Sequence, residues 1–589
     1  MSIIGEFEQQ VRTAVTAALS DLGAADLQFV IELSSVEGVD LSVPCFPMSK
    51  AMRKAPAMIA EDMASRIQPS GLIAGVSAMN GYLNFVMDSK PMVAGVLNDI
   101  IERGSYYGSM PLSGLRVNVE HTSTNPTGPI HVGRARNPII GDTLARCLRK
   151  CGHDVTTEYY VNDVGKQVVI LTWGVMNVSD EVADAEREEH AKAAGHEKER
   201  DKTDHRLVAK YRVANRRMES EPEVQREIAD MLRRFEDGDE EVIGNVRRTA
   251  ESMLDGLRET LEAINVTLDR YTWESQFITD GTARDVVEQL KGSEYAGQTD
   301  DGAWFVDLKD FGIQGKNTKF TFTRSDGTTL YTTRDLAYHL DKFTRSDRVI
   351  DVLGEDQKLG SKQLCSALEI LGKETMPEPL FYSFVSLPEG KMSTRKGVVV
   401  YLDDLIDEAV AHAYDEIKAR SATRGNDMSE ERMMEIARIV GIGAIRYNIV
   451  RVQPEKQFVF KWSEALNFDG NSGPYLQYVH ARACSMLRKA GEFKHVTDPD
   501  MLDDGFEVNL VKVLSRYEEI LRQAGEDKKV HLLPAYGHDV AVAFNQFYAS
   551  VSVLDSGPRR DARLTLVECA RTVMADVLGC LGMGAPEEM

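Results

Sequence analysis

The sequence predicts a multidomain α/β protein. A Rossmann-like parallel-sheet domain lies between an N-terminal α+β domain and a C-terminal α-helical bundle. Three observations predict this. Residues 115–161 read strand, long loop, helix, strand, which is one βαβ unit. Residues 348–353 form a near-continuous apolar run broken by Asp351, as a strand buried on both faces should. From residue 406 onward the apolar residues recur at helical spacing. The boundaries implied are 1–110, 111–405 and 406–589, with a charged helical insertion at about 178–250.

In the first unit, Phe7, Val11, Val15 and Leu19 fall on one helical face. Residues 27–33 read as a strand and 51–67 as a helix. Residues 81–87, Gly-Tyr-Leu-Asn-Phe-Val-Met, read as a closing strand, with Tyr82 and Asn84 on an exposed face.

The second unit opens where Leu115, Val117 and Val119 alternate with polar residues. A loop rich in Ser, Thr, Asn, Pro and Gly runs from 122 to 133. Ile140, Leu144, Leu148 and Cys151 then mark a helix, with Arg146, Arg149 and Lys150 in its last turn and Gly152 to end it. Open α/β sheets bind ligands at the carboxyl ends of their strands, where this loop lies. His131-Val132-Gly133 sits at the helix entry. Gly133 lets backbone approach a phosphate, and the helix start offers N–H groups and partial positive charge. An imidazole there can donate to a phosphoryl oxygen. Alone, this tripeptide is far more often a simple turn.

About 260 residues on, Lys391-Met392-Ser393-Thr394-Arg395-Lys396-Gly397 follows a strand-like run at 380–387 and a Pro-Glu-Gly turn. Its three cations and two hydroxyls can clamp a polyphosphate. Alone, it reads equally well as a solvated basic loop.

Between these motifs, the charge-dense tract at 178–250 reads as a solvated helical insertion, and its His190, His196 and His205 as no metal set. A helix follows at 257–268. Ser325-Asp326-Gly327 marks a hairpin turn before a helix from about Arg334, and Gly354 to Gln357 sit at the carboxyl end of the 348–353 strand. In the helical tract, Gly441-Ile442-Gly443 lacks the third glycine of a dinucleotide fingerprint and reads as helix packing. A long apolar-faced helix at 566–581 ends near Gly582. Aromatic residues on such helices are core more often than ligand contacts.

The formal net charge of −23 argues against indiscriminate nucleic-acid binding, though not against one specific RNA. No run approaches the ~18 to 20 apolar residues of a membrane span, and no basic-then-apolar signal opens the chain. Seven cysteines are too few and scattered for a disulfide framework, and Cys147 and Cys151 with His153 complete no tetrahedral metal set. The expectation is a cytoplasmic protein with reduced thiols and no metal centre.

The string Asn125-Pro126-Thr127-Gly128-Pro129-Ile130-His131-Val132-Gly133, paired with residues 391–397, resembles the two ATP signatures of class I aminoacyl-tRNA synthetases. The likeness is specifically to the arginyl-tRNA synthetase family. It continues through Tyr331-Thr-Thr-Arg-Asp-Leu-Ala337, through 469–478 and into the terminal Ala-Pro-Glu-Glu-Met589, so it covers nearly the whole chain in the family's order.

This resemblance implies an arginine–tRNA ligase that forms arginyl-adenylate from L-arginine and ATP, then transfers the arginyl group to tRNA(Arg). Residues Asn125 to Pro129, His131, Gly133, Lys391, Met392 and Ser393 would bind ATP, with Mg2+ accompanying it. His131 and Arg134 would serve the α-phosphate; Lys391, Ser393, Arg395 and Lys396 would embrace the departing pyrophosphate. Asp335 and Glu274 would accept the substrate guanidinium, with Tyr331 closing the pocket. Asn125 and Gln357 would hold the α-amino end, assisted by Glu120. Tyr82 and Asn84 would hold a looped-out tRNA base, and Tyr475, Tyr478 and Tyr536 would contact the anticodon arm. A monomer is implied.

Two positions depart from the family pattern. Arg134 stands where the first signature usually has a second histidine, and Arg395 where lysine is commoner. A permanently charged Arg134 can fork onto phosphate but cannot titrate. Two rival readings are a nucleotidyltransferase acting without tRNA and a non-catalytic tRNA-binding paralogue. The extra N- and C-terminal domains oppose the first, and His131 with the Lys391 loop opposes the second.

Overall fold

Strand Arg116–Glu120 takes the centre of a five-stranded parallel sheet. The order across it is Glu378–Tyr382, Arg348–Gly354, Arg116–Glu120, Asp154–Val161, Arg270–Trp273. The structure, a computed structural model, describes residues 3–589 except 35, 37, 195–199, 316–317, 387–399, 425–427 and 469. Val117 and Val119 are buried and pair in register with Val155 and Thr157 on one side and Arg348 and Ile350 on the other. The chain leaves Arg116–Glu120 first for one neighbour and much later for the other. Its carboxyl end, with that of Arg348–Gly354, is therefore the point where strand order reverses and a crevice opens. Glu120, the 121–133 loop and the Glu355–Gln357 turn all lie there.

The helix after the loop is Arg136–Lys150, with Ile140, Leu144 and Leu148 wholly buried. Gly152 ends it at φ +85°, where a β-carbon would stand 2.1 Å from the Pro111 carbonyl oxygen, so only glycine fits.

The N-terminal domain is a four-stranded antiparallel sheet covered by helix Ile3–Asp21, which buries Phe7, Val11, Val15 and Leu19. Only Glu32–Leu33 of the expected 27–33 strand pairs. The expected 51–67 helix is two, Ser49–Met52 and Pro56–Ala64, because Pro56 starts a new first turn and Arg53 turns left-handed at φ 52°. Helix Ser89–Arg103 packs on the C-terminal helices Gly505–Leu514 and Arg560–Cys580, joining the ends of the chain.

The charged tract departs most from expectation. It folds into helices Asp180–Ala194, Thr203–Ser220 and Pro222–Glu236, followed by Glu240–Ala263. Thr203–Ser220 buries Asp204, His205, Val208, Ala209, Val213 and Ala214 against Lys166–Asn177 and Glu240–Ala263. A β-carbon on Gly128 would lie 3.0 Å from Val208, so the insertion walls the phosphate-signature loop. It is not a solvated appendage: its charged faces hide a second apolar stripe. The helix expected at 257–268 is the end of Glu240–Ala263, which stops earlier, at the left-handed Asn265.

In the C-terminal bundle, Leu402–Arg424 crosses Glu430–Val450. At the crossing a β-carbon on Gly441 would meet the Ala409 carbonyl oxygen at 2.9 Å, which makes that glycine a packing residue. The tract is not wholly helical: Phe458–Val459 pairs in parallel with Val385–Ser386 of the sheet domain. All seven cysteines are free. No helix among the described residues is long and apolar enough to cross a membrane.

Candidate active site

Glu120 ends the central strand, and the next residues turn sharply. Thr122 and Ser123 both take positive φ, at 73° and 27°, a costly conformation for non-glycine residues. Side chains hold it. Asn137 accepts from the Thr122 N–H at 2.6 Å and donates to the Val352 carbonyl at 3.0 Å. Ser123 donates to Glu120 at 2.9 Å and accepts from the Tyr160 N–H at 3.0 Å.

His131 caps the short turn Val132–Arg134 that leads into the helix, its Nδ1 accepting from the Gly133 N–H at 3.0 Å. That bond assigns the proton of a neutral His131 ring to Nε2. Arg134 is exposed beside it, and Asn125 donates to Gln167 at 3.1 Å.

Lys391, Met392, Ser393, Arg395 and Lys396 lie outside the described residues. The segments that flank them do not. Val132 N–H donates to the Val400 carbonyl at 3.1 Å and Leu402 N–H to the Ile130 carbonyl at 2.8 Å, so His131 and Tyr401 form an antiparallel bridge. On the other flank, Val385–Ser386 packs on the Val132–Arg134 turn.

Arg136, which the sequence did not single out, fixes this junction. Its buried guanidinium donates to the carbonyls of Ser383, Lys456, Val452 and Gln453 at 2.9 to 3.1 Å. Burial lowers its pKa to about 10.

The third part of the site is a cluster of carboxylates. Helix Tyr331–Arg345 begins three residues before the expected Arg334, which places half-exposed Tyr331 in its first turn and Asp335 one turn on. Asp335 keeps a 24% exposed side chain. Beneath it His339 Nδ1 lies 3.3 Å from the Asp335 carboxylate, and Nε2 lies 3.0 Å from Asp351. Burial and Lys342 lower the His339 pKa, but Asp351 and Asp335 outweigh them and lift it to about 10. Lys342, fully buried, donates to Asp351 at 2.8 Å and to Glu120. Burial pushes the Glu120 carboxyl up, against the pull of Lys342.

Glu274 is fully buried and ion-paired with Arg334. The amide nitrogen of Asn162 donates to its other oxygen at 2.9 Å. Desolvation, opposed by Arg334, raises the Glu274 pKa to about 7. Adjacent residues Arg334 and Asp335 of the helix headed by Tyr331 thus bring Glu274 and Asp335 to one helix start, and the chain of contacts through His339, Asp351 and Lys342 runs from Asp335 to Glu120. Gln357 is exposed in the turn at the carboxyl end of Arg348–Gly354.

Among the described residues, two groupings have metal-ligand spacing, Glu120/His339/Asp351 and Asp204/His205/Asp403. A lysine ammonium already lies in each. Lys342 fills the first; Lys202 fills the second, 3.2 Å from Asp204 and 3.1 Å from Asp403.

The aromatic positions divide. Tyr82 is exposed, and the half-exposed Phe46 ring meets it edge-on at 5.3 Å, a second aromatic that the sequence did not mark. Asn84 is 2% exposed and accepts from Ser42 at 2.8 Å, so its amide faces the sheet and not solvent. Tyr475 and Tyr478 are half-buried, and the Arg482 guanidinium stacks 4.7 Å over Tyr478. Tyr536 is a correction: it is 1% exposed and stacked on Tyr517 at 5.5 Å. Its ring offers no face to a base because it belongs to the buried stripe with Val540, Phe544 and Phe547.

Comparison with known proteins gives the family. Residues 98–462 match the family model for class I (R) tRNA synthetase catalytic domains. Residues 476–589 match the DALR anticodon binding domain, and 9–87 the arginyl tRNA synthetase N-terminal domain. The arginine–tRNA ligase of Methanocella arvoryzae is 44% identical over 573 residues, 96% of this chain and 97% of that one. That of Methanothermobacter thermautotrophicus is 38% identical over 99% of both chains. The Thermus thermophilus arginyl-tRNA synthetase structure superposes with a TM-score of 0.82 at 26% identity, covering 99% of this chain and all of that one. On sequence and fold, the chain belongs to the arginyl-tRNA synthetase family.

Proposed function

We propose that this chain activates L-arginine with ATP and passes the arginyl group to the terminal adenosine of tRNA(Arg), with the residues above in the following roles. The arginine carboxylate attacks the α-phosphate of ATP; the bond from that phosphorus to the bridging oxygen breaks, and pyrophosphate leaves. The ribose hydroxyl of the tRNA end then attacks the mixed anhydride and releases AMP. Such transfers ask the protein mainly for positioning and charge stabilisation.

His131 Nε2–H and the N–H groups at the helix start serve the α-phosphate, with Arg134 as a fixed cation beside them. Residues 125–129 line the nucleotide, and Lys391, Ser393, Arg395 and Lys396 with Met392 cover the pyrophosphate. Asp335 accepts the guanidinium under Tyr331. Glu274, already engaged by Arg334, acts through its field more than as a direct acceptor. Asn125 and Gln357 hold the α-amino end, near Glu120. Mg2+ arrives with ATP, held by phosphate oxygens and not by a dedicated protein cage. Tyr82 with Phe46, and Tyr475 with Tyr478, offer flat faces to tRNA bases. The enzyme acts as a cytoplasmic monomer.

The observation that carries this reading is the antiparallel bridge between 130–132 and 400–402: it puts the segment after the cationic motif on the histidine motif itself. The test is aminoacylation of a tRNA(Arg) transcript across a panel of amino acids, with pyrophosphate exchange measured with and without tRNA. Arginine alone should be incorporated; incorporation of another amino acid, or of none, overturns the reading.

A further inference from the structure

Tyr160 lies in the strand Asp154–Val161, two residues beyond Glu158 and beside the pocket, and no motif marks it. Its ring is held on three sides. It stacks on Tyr338 at 4.2 Å with planes 8° apart, tilts against Phe277 at 6.5 Å, and meets Tyr331 at 6.3 Å. Its backbone N–H is fixed by Ser123, the residue that also donates to Glu120. The side chain is 3% exposed, yet its hydroxyl has no hydrogen-bond partner.

Buried hydroxyls are almost always satisfied, and an orphan one demands a reason. The neighbours supply it. Burial comes first, then the charges of Glu274, Tyr331 and Asp335, in holding the phenol proton on. The hydroxyl is thus held neutral, on a ring that touches Tyr331, the residue that heads the helix carrying Asp335. A guanidinium has five N–H donors and no acceptor. Asp335 can satisfy two of them, and Glu274 is already engaged by Arg334 and Asn162. A further acceptor of fixed position is what such a ligand lacks.

We infer that the Tyr160 hydroxyl is a substrate-binding group that accepts an N–H of the arginine guanidinium and so selects for arginine. This rests on the proposed arginine pocket. A rigid acceptor left unpaired in the empty pocket penalises any substrate that brings no donor to it. An uncharged or shorter side chain is refused for the same reason.

The test is Tyr160→Phe, which keeps the stacked ring and removes only the hydroxyl. We expect the KM for arginine to rise about tenfold, with the KM values for ATP and tRNA within twofold of wild type. Because the lost hydroxyl had no partner in the empty protein, the unliganded variant should melt at the wild-type temperature or above. An arginine KM within twofold of wild type overturns the inference. So does a parallel rise in all three KM values, or a variant that folds less stably than wild type. Wild-type protein that charges no arginine overturns the functional reading and this inference together, whereas an unaffected variant of an active enzyme overturns the inference alone.

Discussion

Asp142 and Arg446 form an ion pair with neither side chain open to water: they are 2% and 0% exposed. Asp142 stands on the helix that rises from the His131 turn, and Arg446 on the second helix of the C-terminal bundle. The same guanidinium donates to the Leu581 and Ile264 carbonyls, both at 2.6 Å. Gly582 makes room for it, since a β-carbon there would stand 2.2 Å from the guanidinium. The helix Arg136–Lys150, the end of the insertion and the bundle thus meet at one charge.

Removing Arg446 leaves Asp142 buried with only the partly exposed Arg146, 2.8 Å away, to balance it. Arg446→Leu should cost about 3–5 kcal/mol of unfolding free energy. Asp142→Leu combined with it should cost less than the sum of the two single changes. Urea denaturation of the four proteins measures both quantities.

Asp335→Asn keeps the shape of the side chain and removes its carboxylate charge. We expect a loss of 10²- to 10³-fold in kcat/KM for arginine, from about 3–4 kcal/mol of charge-assisted hydrogen bonding, with the KM for ATP nearly unchanged. Steady-state aminoacylation at varied arginine and varied ATP separates the two. Equal losses for both substrates would remove Asp335 from the pocket.

His339 links this carboxylate to pH. Its folded-state pKa, near 10, lies above the ordinary histidine value of 6.5. A group raised in this way contributes its full stability below pH 6.5 and loses it as pH climbs through about 10. His339→Gln should therefore lower stability most near pH 6, and the gap from wild type should narrow steadily toward pH 10. Denaturation at pH 6, 8 and 10 follows the gap; a constant difference would mean that His339 is held neutral.

The parts of this fold that were legible in the sequence are those whose signal is local. Val117 and Val119, and Ile140, Leu144 and Leu148, declare their strand and helix by period alone, and both are buried as the period demands. Glycine 441 was readable as packing for the same reason. What stayed hidden is polar and long-range. Arg136, Lys202, Lys342 and Arg446 look like solvent-facing charges, yet each is buried by partners in other elements of the chain. No window of neighbouring residues contains those partners. Tyr536 is the opposite case: Leu533, Tyr536, Val540 and Phe544 share one helical stripe, and that local period, set against the family likeness, pointed to the core. Asn84, between Leu83 and Phe85 on a strand, carried no such warning; what covers it comes from Ser42 on the neighbouring strand.

Anyone shortening this enzyme to a minimal domain would cut first at residues 178–250, the stretch with the densest charge. Yet Lys202, Asp204 and His205 interlock there with Asp403, at the start of the helix that follows Tyr401, and Val208 closes on Gly128. Excision would strand Asp403 in a dry hole without its cation and strip the wall from the 121–133 loop. The tract that looks most expendable is a keystone, and a trimmed version would carry a buried carboxylate with its partners removed.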